Sequence, residues 1–121
     1  MSRVLIVDDE KIYCDQLTLI LMRESHEVRS ASSVEKGIQV GLEFRPNLLV
    51  ADWRLADGRN GIEVARALAS AIPDLLTILI TGCLVEEIPR ETRQGVFRVL
   101  EKPFSLDEVV TTIHDAATSP V

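Results

Sequence analysis

The stretch Val4-Leu5-Ile6-Val7-Asp8-Asp9 decides the fold: four consecutive apolar residues, three of them β-branched, are stopped by two adjacent acids. A strand with one wet face would alternate apolar and polar residues, whereas a solid apolar run of this length belongs to a strand covered on both faces. The same construction recurs at Leu48-Leu49-Val50-Ala51 before Asp52 and at Thr77 to Ile80 before Thr81-Gly82. Weaker runs lie at Val28 to Ala31 and Val96 to Leu100.

Between these runs the apolar residues fall at helical spacing. Tyr13, Leu17, Ile20 and Leu21 form one stripe over Lys11 to about Glu24, and Val34, Ile38, Gly41 and Leu42 form another. Ile62, Ala65, Ala69 and Ile72 mark a helix from Gly61 to Ile72, closed by Pro73; Leu106, Val109, Val110, Ile113 and Ala117 mark the last. Ser32 with Glu35 and Ser105 with Glu108 have capping-box spacing. Pro89 and dense charge predict only a short or broken helix between Leu84 and Gln94, because proline removes an amide donor and clashes with the preceding turn. Five strands alternating with about five helices predict an α/β domain: a doubly wound, five-stranded parallel sheet in the flavodoxin-like order 2-1-3-4-5, with helices on both faces. Residues 1–117 form the domain, and Thr118 to Val121 read as a tail or the start of a linker.

With 121 residues, 46% of them apolar and 26% charged, the chain suits one globular domain without a disulfide scaffold. The net charge of −6, with no block of Lys and Arg, argues against direct nucleic-acid binding, which depends on neutralising phosphates. The apolar runs are too short to span a bilayer, and Met1-Ser2-Arg3 leads straight into strand-like sequence without a signal-peptide pattern. No membrane contact and a cytoplasmic location are therefore expected. Cys14 and Cys83 match neither a redox pair nor a metal knuckle, and free thiols are expected.

In a doubly wound sheet, chemistry gathers beyond the carboxyl ends of the strands. Those ends carry Asp8 and Asp9, Asp52, Thr81 and Lys102. Each alone is an ordinary turn or cap residue; their joint placement is what points to a site. If strands one and three are neighbours, three carboxylates converge on one crevice, which requires retained protons or a bound cation. Oxygen ligands without His or Cys favour Mg²⁺ over zinc. A carboxylate flanked by such a cation, a lysine and a threonine suits phosphoryl transfer, with Asp52 the natural nucleophile.

Val4 to Glu10, Asp52 after its apolar strand, Thr81-Gly82 and Lys102-Pro103-Phe104, in this order, resemble a response-regulator receiver domain of two-component phosphorelay signalling over essentially the whole chain. The resemblance implies that Asp52 accepts a phosphoryl group from a phosphohistidine on a histidine kinase or histidine phosphotransfer protein. It implies that Asp8 and Asp9 hold Mg²⁺ with Asp52 and the backbone carbonyl of Arg54, that Thr81 and Lys102 contact the phosphoryl group, and that the Lys102-Pro103 bond is cis. It further implies a signalling protein that catalyses only its own phosphorylation and dephosphorylation, a downstream protein that reads a changed surface, and a homodimer as one form that surface could take.

Several positions depart from the family's pattern. Ala56 stands where a proline is usual, and Val99 stands where receivers commonly carry an aromatic that couples to the threonine. Phe97 is expected on the same strand face as Val99 by period-2 alternation, though not at the matching position. Arg54 and Cys83, two residues beyond Asp52 and Thr81, are expected to border the site. Two other functions are compatible with the residues: a phosphorylation-independent interaction module on the same fold, and a Mg²⁺-dependent aspartyl phosphatase. The latter usually carries its acids in a DxD pattern on the first strand, unlike the adjacent Asp8 and Asp9.

Overall fold

The structure is a computed structural model that describes residues 2–118. Residues 119–121 of the expected tail lie outside the described residues. Five strands, β1 (Arg3–Val7), β2 (Glu27–Ala31), β3 (Leu48–Asp52), β4 (Leu76–Thr81) and β5 (Arg98–Glu101), alternate with α1 (Lys11–Arg23), α2 (Val34–Phe44), α3 (Gly61–Ala69), α4 (Arg90–Gln94) and α5 (Leu106–Ala117). The sheet order is β2-β1-β3-β4-β5, every pairing is parallel, and Val7 is in register with Ala51. The expected order is therefore the observed one.

Because successive strand residues point to opposite faces, the solid apolar runs feed two cores. Val4, Ile6, Leu48, Val50, Ile78 and Ile80 pack with Leu17 and Leu21 of α1 and Val109 and Ile113 of α5. Leu5, Val7, Leu49, Ala51 and Leu79 pack with Val34 of α2 and Ile62, Val64 and Leu68 of α3. Each fully buried aliphatic side chain stabilises the fold by roughly 1.5–3 kcal/mol.

Local details differ from the periodicity. The cap of α2 is Ser33, whose side chain accepts from the Lys36 amide, and not Ser32. In α3 the buried face is Gly61, Ile62, Val64 and Leu68, while Ala69 is exposed and the helix stops before Ile72. The expected stripe was displaced by about one residue, because alanines at 65, 67 and 69 give the pattern little contrast. Leu42, Leu106 and Ala117 are likewise exposed, and Phe44, Thr112 and Ala116 take the inward places. Ser105 does cap α5, accepting from the Glu108 amide.

β5 begins at Arg98 and not at Val96, so the alternation expected to put Phe97 and Val99 on one face does not apply. Phe97 packs against the α1/α5 core and Val99 against the α2/α3 core. The segment around Pro89 is broken as expected: a 3₁₀ turn at Val85–Glu87 precedes the five-residue α4, and fully buried Ile88 anchors the break.

Gly61 is where the α3 start meets the end of β3. A Cβ there would lie 2.5 Å from the Asp52 carbonyl oxygen and 2.6 Å from the Ala51 Cβ, so backbone beneath the site would have to move. Gly82 has open space around the equivalent position. Urea unfolding should show Gly61→Ala destabilised by about 1–3 kcal/mol and Gly82→Ala within about 0.5 kcal/mol of wild type; equal effects at the two sites would contradict this packing.

Candidate functional site

The register between β1 and β3 sets the site. With Val7 opposite Ala51, the next residue of each strand end, Asp8 and Asp52, stand side by side. Asp8 is 2% and Asp52 6% exposed. Asp8 is held at both ends: its amide donates to the Ala31 carbonyl at 3.1 Å, and its Oδ1 accepts from the Glu10 amide at 2.9 Å. Its Oδ2 is buried and accepts no hydrogen bond among the described residues.

On the β3 side, the chain leaves Asp52 through the Trp53 amide, which donates to the Ile80 carbonyl at 2.7 Å. It re-enters at Asn60, which caps α3 with Glu63 in a reciprocal capping box. Arg59 ties this loop to Glu63 and, on α2, to Glu35. Trp53 itself packs partly buried against the α2/α3 core.

Lys102 reaches in from the end of β5, its amide donating to the Thr81 carbonyl at 2.7 Å. Its Nζ lies 2.9 Å from Glu10 Oε1, 3.1 Å from Asp52 Oδ2 and 3.2 Å from Asp8 Oδ2, with the side chain 7% exposed. The Lys102-Pro103 bond is cis. Oxygens of Asp8, Asp9, Glu10 and Asp52 lie within 4.8 Å of one another.

Four carboxylates against one ammonium leave a large local excess of negative charge. Burial, and then the neighbouring charge of Asp8, push the Asp52 carboxyl up to about 6, against the opposing pull of Lys102 and the Arg54 amide. Burial works to lower the Lys102 ammonium, but its contacts with Glu10, Asp52 and Asp8 outweigh it and hold the group above the ordinary lysine value. Hard carboxylate oxygens, one of them a buried acceptor without a hydrogen bond, fit a divalent cation of the Mg²⁺ class.

Asp8, Asp9, Asp52 and Lys102 thus meet as the sequence placed them. Thr81 ends β4 at 1% exposure, but its hydroxyl is engaged within its own turn, accepting from the Cys83 amide at 3.0 Å and lying 2.8 Å from Cys83 Sγ. Arg54 and Cys83 line the opening over Asp52 together with Glu10, Gly82, Glu87 and Lys102. Both cysteines are free thiols; Cys14 is buried with its Sγ donating to the Asp8 carbonyl, and burial pushes that thiol up.

The sequence reading missed Glu10, which both joins the carboxylate cluster and pairs with Lys102. Its place directly after the two acids was the available signal. It also missed Tyr13, whose ring centroid lies 4.0 Å from the Lys102 Nζ.

Comparison with known proteins places this geometry. Residues 4–114 match the family described as the response regulator receiver domain. The chain is 32% identical over 108 residues to the probable transcriptional regulatory protein TcrX of Mycobacterium tuberculosis, covering 88% of this chain and 46% of TcrX. It is 28% identical over 113 residues to the cell cycle response regulator CtrA of Brucella ovis, covering 93% of this chain and 48% of CtrA. The chain therefore spans about half the length of these relatives. Among solved structures, the CheY-like receiver domain protein of Methanospirillum hungatei superposes with a TM-score of 0.84 at 26% identity, covering 95% and 92% of the two chains.

The raised Asp52 carboxyl predicts a pH dependence of stability in metal-free protein. The folded state takes up the proton near pH 6 and the unfolded state near the ordinary value of 3.8, so the penalty of a buried charge is complete above about pH 6 and absent below about pH 4. Urea unfolding in EDTA should find Asp52→Asn more stable than wild type at neutral pH, with the gain shrinking as pH falls through that window. A gain that does not change with pH would remove the Asp52 charge as its cause.

Proposed function

The chain belongs to the response regulator receiver domain family, and on that premise we propose that Asp52 takes a phosphoryl group from a phosphohistidine of a histidine kinase or histidine phosphotransfer protein. The observation that carries this assignment is the Lys102 Nζ, 3.1 Å from Asp52 Oδ2 in a crevice that also gathers Asp8 and Asp9. The Asp52 carboxylate attacks phosphorus, the bond from phosphorus to the imidazole nitrogen breaks, and an aspartyl phosphate forms. Lys102 is placed to move from carboxylate to phosphoryl oxygen as that charge arrives.

Asp8, Asp9, Asp52 and the Arg54 backbone carbonyl are the residues we assign to Mg²⁺. When bound, the cation offsets charge on the transferring oxygens. Thr81 would release its turn to Cys83 and bond the phosphoryl group. Arg54 and Cys83, at the rim, would govern the access of water and so the lifetime of the aspartyl phosphate.

Because Val99 replaces the usual aromatic, output in this reading runs through the loop after Thr81 and the short α4 to a downstream protein or a second copy of the chain. Among the described residues no helix is long and apolar enough to cross a membrane, in keeping with a cytoplasmic location. A phosphorylation-independent module would keep this crevice without using it. The phosphatase reading is disfavoured by the adjacent acids Asp8 and Asp9 just after β1 and an acceptor on β3.

Incubation with acetyl phosphate and Mg²⁺, followed by intact-mass measurement, should show wild type gaining one phosphoryl group, with no gain in Asp52→Ala or in EDTA. No gain in wild type from acetyl phosphate or a phosphohistidine donor would leave the phosphorylation-independent module, and turnover of generic phosphomonoesters would favour the phosphatase. Hydrogen exchange should also change between free and phosphorylated protein across Leu84 to Leu100; identical protection there would exclude this segment from signalling.

A further inference from the structure

The partners of Lys102 are unequal in kind. An ammonium has three N–H donors. Two make hydrogen bonds, to Glu10 at 2.9 Å and Asp52 at 3.1 Å. The 3.2 Å approach to Asp8 Oδ2 is a charge contact, since that oxygen accepts no hydrogen bond. On another side lies the face of Tyr13, 4.0 Å from Nζ to ring centroid and well inside the range of a cation–π contact. The Phe104 ring stands 5.8 Å from that of Tyr13, tilted by 52°, so a residue two beyond the lysine backs the ring that faces it.

Asp8, Glu10 and Asp52 are also members of the carboxylate cluster suited to a divalent cation. A cation entering that cluster competes with Lys102 for the same oxygens and repels it. Of the four groups around the ammonium, Tyr13 alone offers a hard cation no carboxylate oxygen.

We propose that Tyr13 is a positioning residue for Lys102, its ring face keeping the ammonium beside Asp52 while a metal holds the carboxylates. This rests on the roles proposed above for Asp52 and Lys102. Tyr13 sits on the first turn of α1, its amide donating to the Glu10 carbonyl at 3.1 Å, so the ring is carried by the turn that directly follows the acid cluster. Losing the ring lets Lys102 swing away. That relieves repulsion on the metal but removes the cation awaiting the phosphoryl group, so the two effects have opposite signs.

The test uses Tyr13→Leu, Tyr13→Phe, Lys102→Met and the Tyr13→Leu/Lys102→Met pair. Mg²⁺ affinity is read by the fluorescence of Trp53, the chain's one tryptophan, and labelling by acetyl phosphate is timed at saturating Mg²⁺. Tyr13→Leu should bind Mg²⁺ roughly threefold more tightly yet be labelled roughly three- to tenfold more slowly, the scale of one partly desolvated cation–π contact. Tyr13→Phe should match wild type in both. In the Lys102→Met background, Tyr13→Leu should change neither.

Unchanged or weakened Mg²⁺ binding in Tyr13→Leu, a Tyr13→Phe variant as altered as Tyr13→Leu, or an effect that persists without Lys102 would each overturn the proposal. Absence of labelling in wild type would instead overturn the phospho-acceptor reading, and the Mg²⁺ titrations would still decide the role of Tyr13.

Discussion

A single buried ammonium, that of Lys102, stands among the carboxylates of Asp8, Glu10 and Asp52, and the site depends on this imbalance being tolerable. One positive charge cannot neutralise three acids within 3.2 Å, with Asp9 close by. Burial, and then the charge of Asp8, raise the Asp52 carboxyl, and one Asp8 oxygen is left without a hydrogen bond. A group poised in this way responds strongly to an arriving cation, because the cation removes a repulsion already present. The cost is borne by the two apolar cores above and below the sheet, which keep the acids from moving apart.

That rigidity is made locally by close backbone approach and by caps. Gly61 lets the start of α3 press on the end of β3, where any Cβ would collide with the carbonyl of Asp52 itself. Gly37 and Gly41 do the same for α2, against Val7 and Leu68. The Asn60 and Glu63 box then fixes the first turn of α3, and Arg59 binds that turn to Glu35 on the neighbouring helix. Positioning of Asp52 is therefore spread over β3, α3 and α2, not confined to the residues that meet in the crevice.

The face beyond β4 is built differently. α4 has five residues, and the chain before it is held by buried Ile88, whose carbonyl accepts from Arg93 Nε at 3.1 Å. Few long-range apolar contacts bind such a segment, so its local stability is low compared with the strands. The Thr81 hydroxyl is tied to Cys83 at the root of this segment, beside the crevice that holds Asp52.

Much of this was legible in one dimension. Solid apolar runs ended by acids determined a parallel sheet covered on both faces, because only a doubly buried strand lacks polar alternation, and the strand ends named Asp8, Asp9, Asp52, Thr81 and Lys102 in advance. Periodicity was weaker where side chains are small: among the alanines of α3 it misplaced the inward face, and it put Phe97 with Val99 although the regular strand begins between them. What only the tertiary structure decided are contacts between residues far apart in the chain. Glu10 and Lys102 are 92 residues apart and meet because β1 and β5 both end at the same edge of the sheet. Tyr13 faces Lys102 because α1 starts immediately beyond Glu10 at that edge. Local patterns report which side of an element is buried; which groups share a crevice depends on strand order and register, which bring distant segments together.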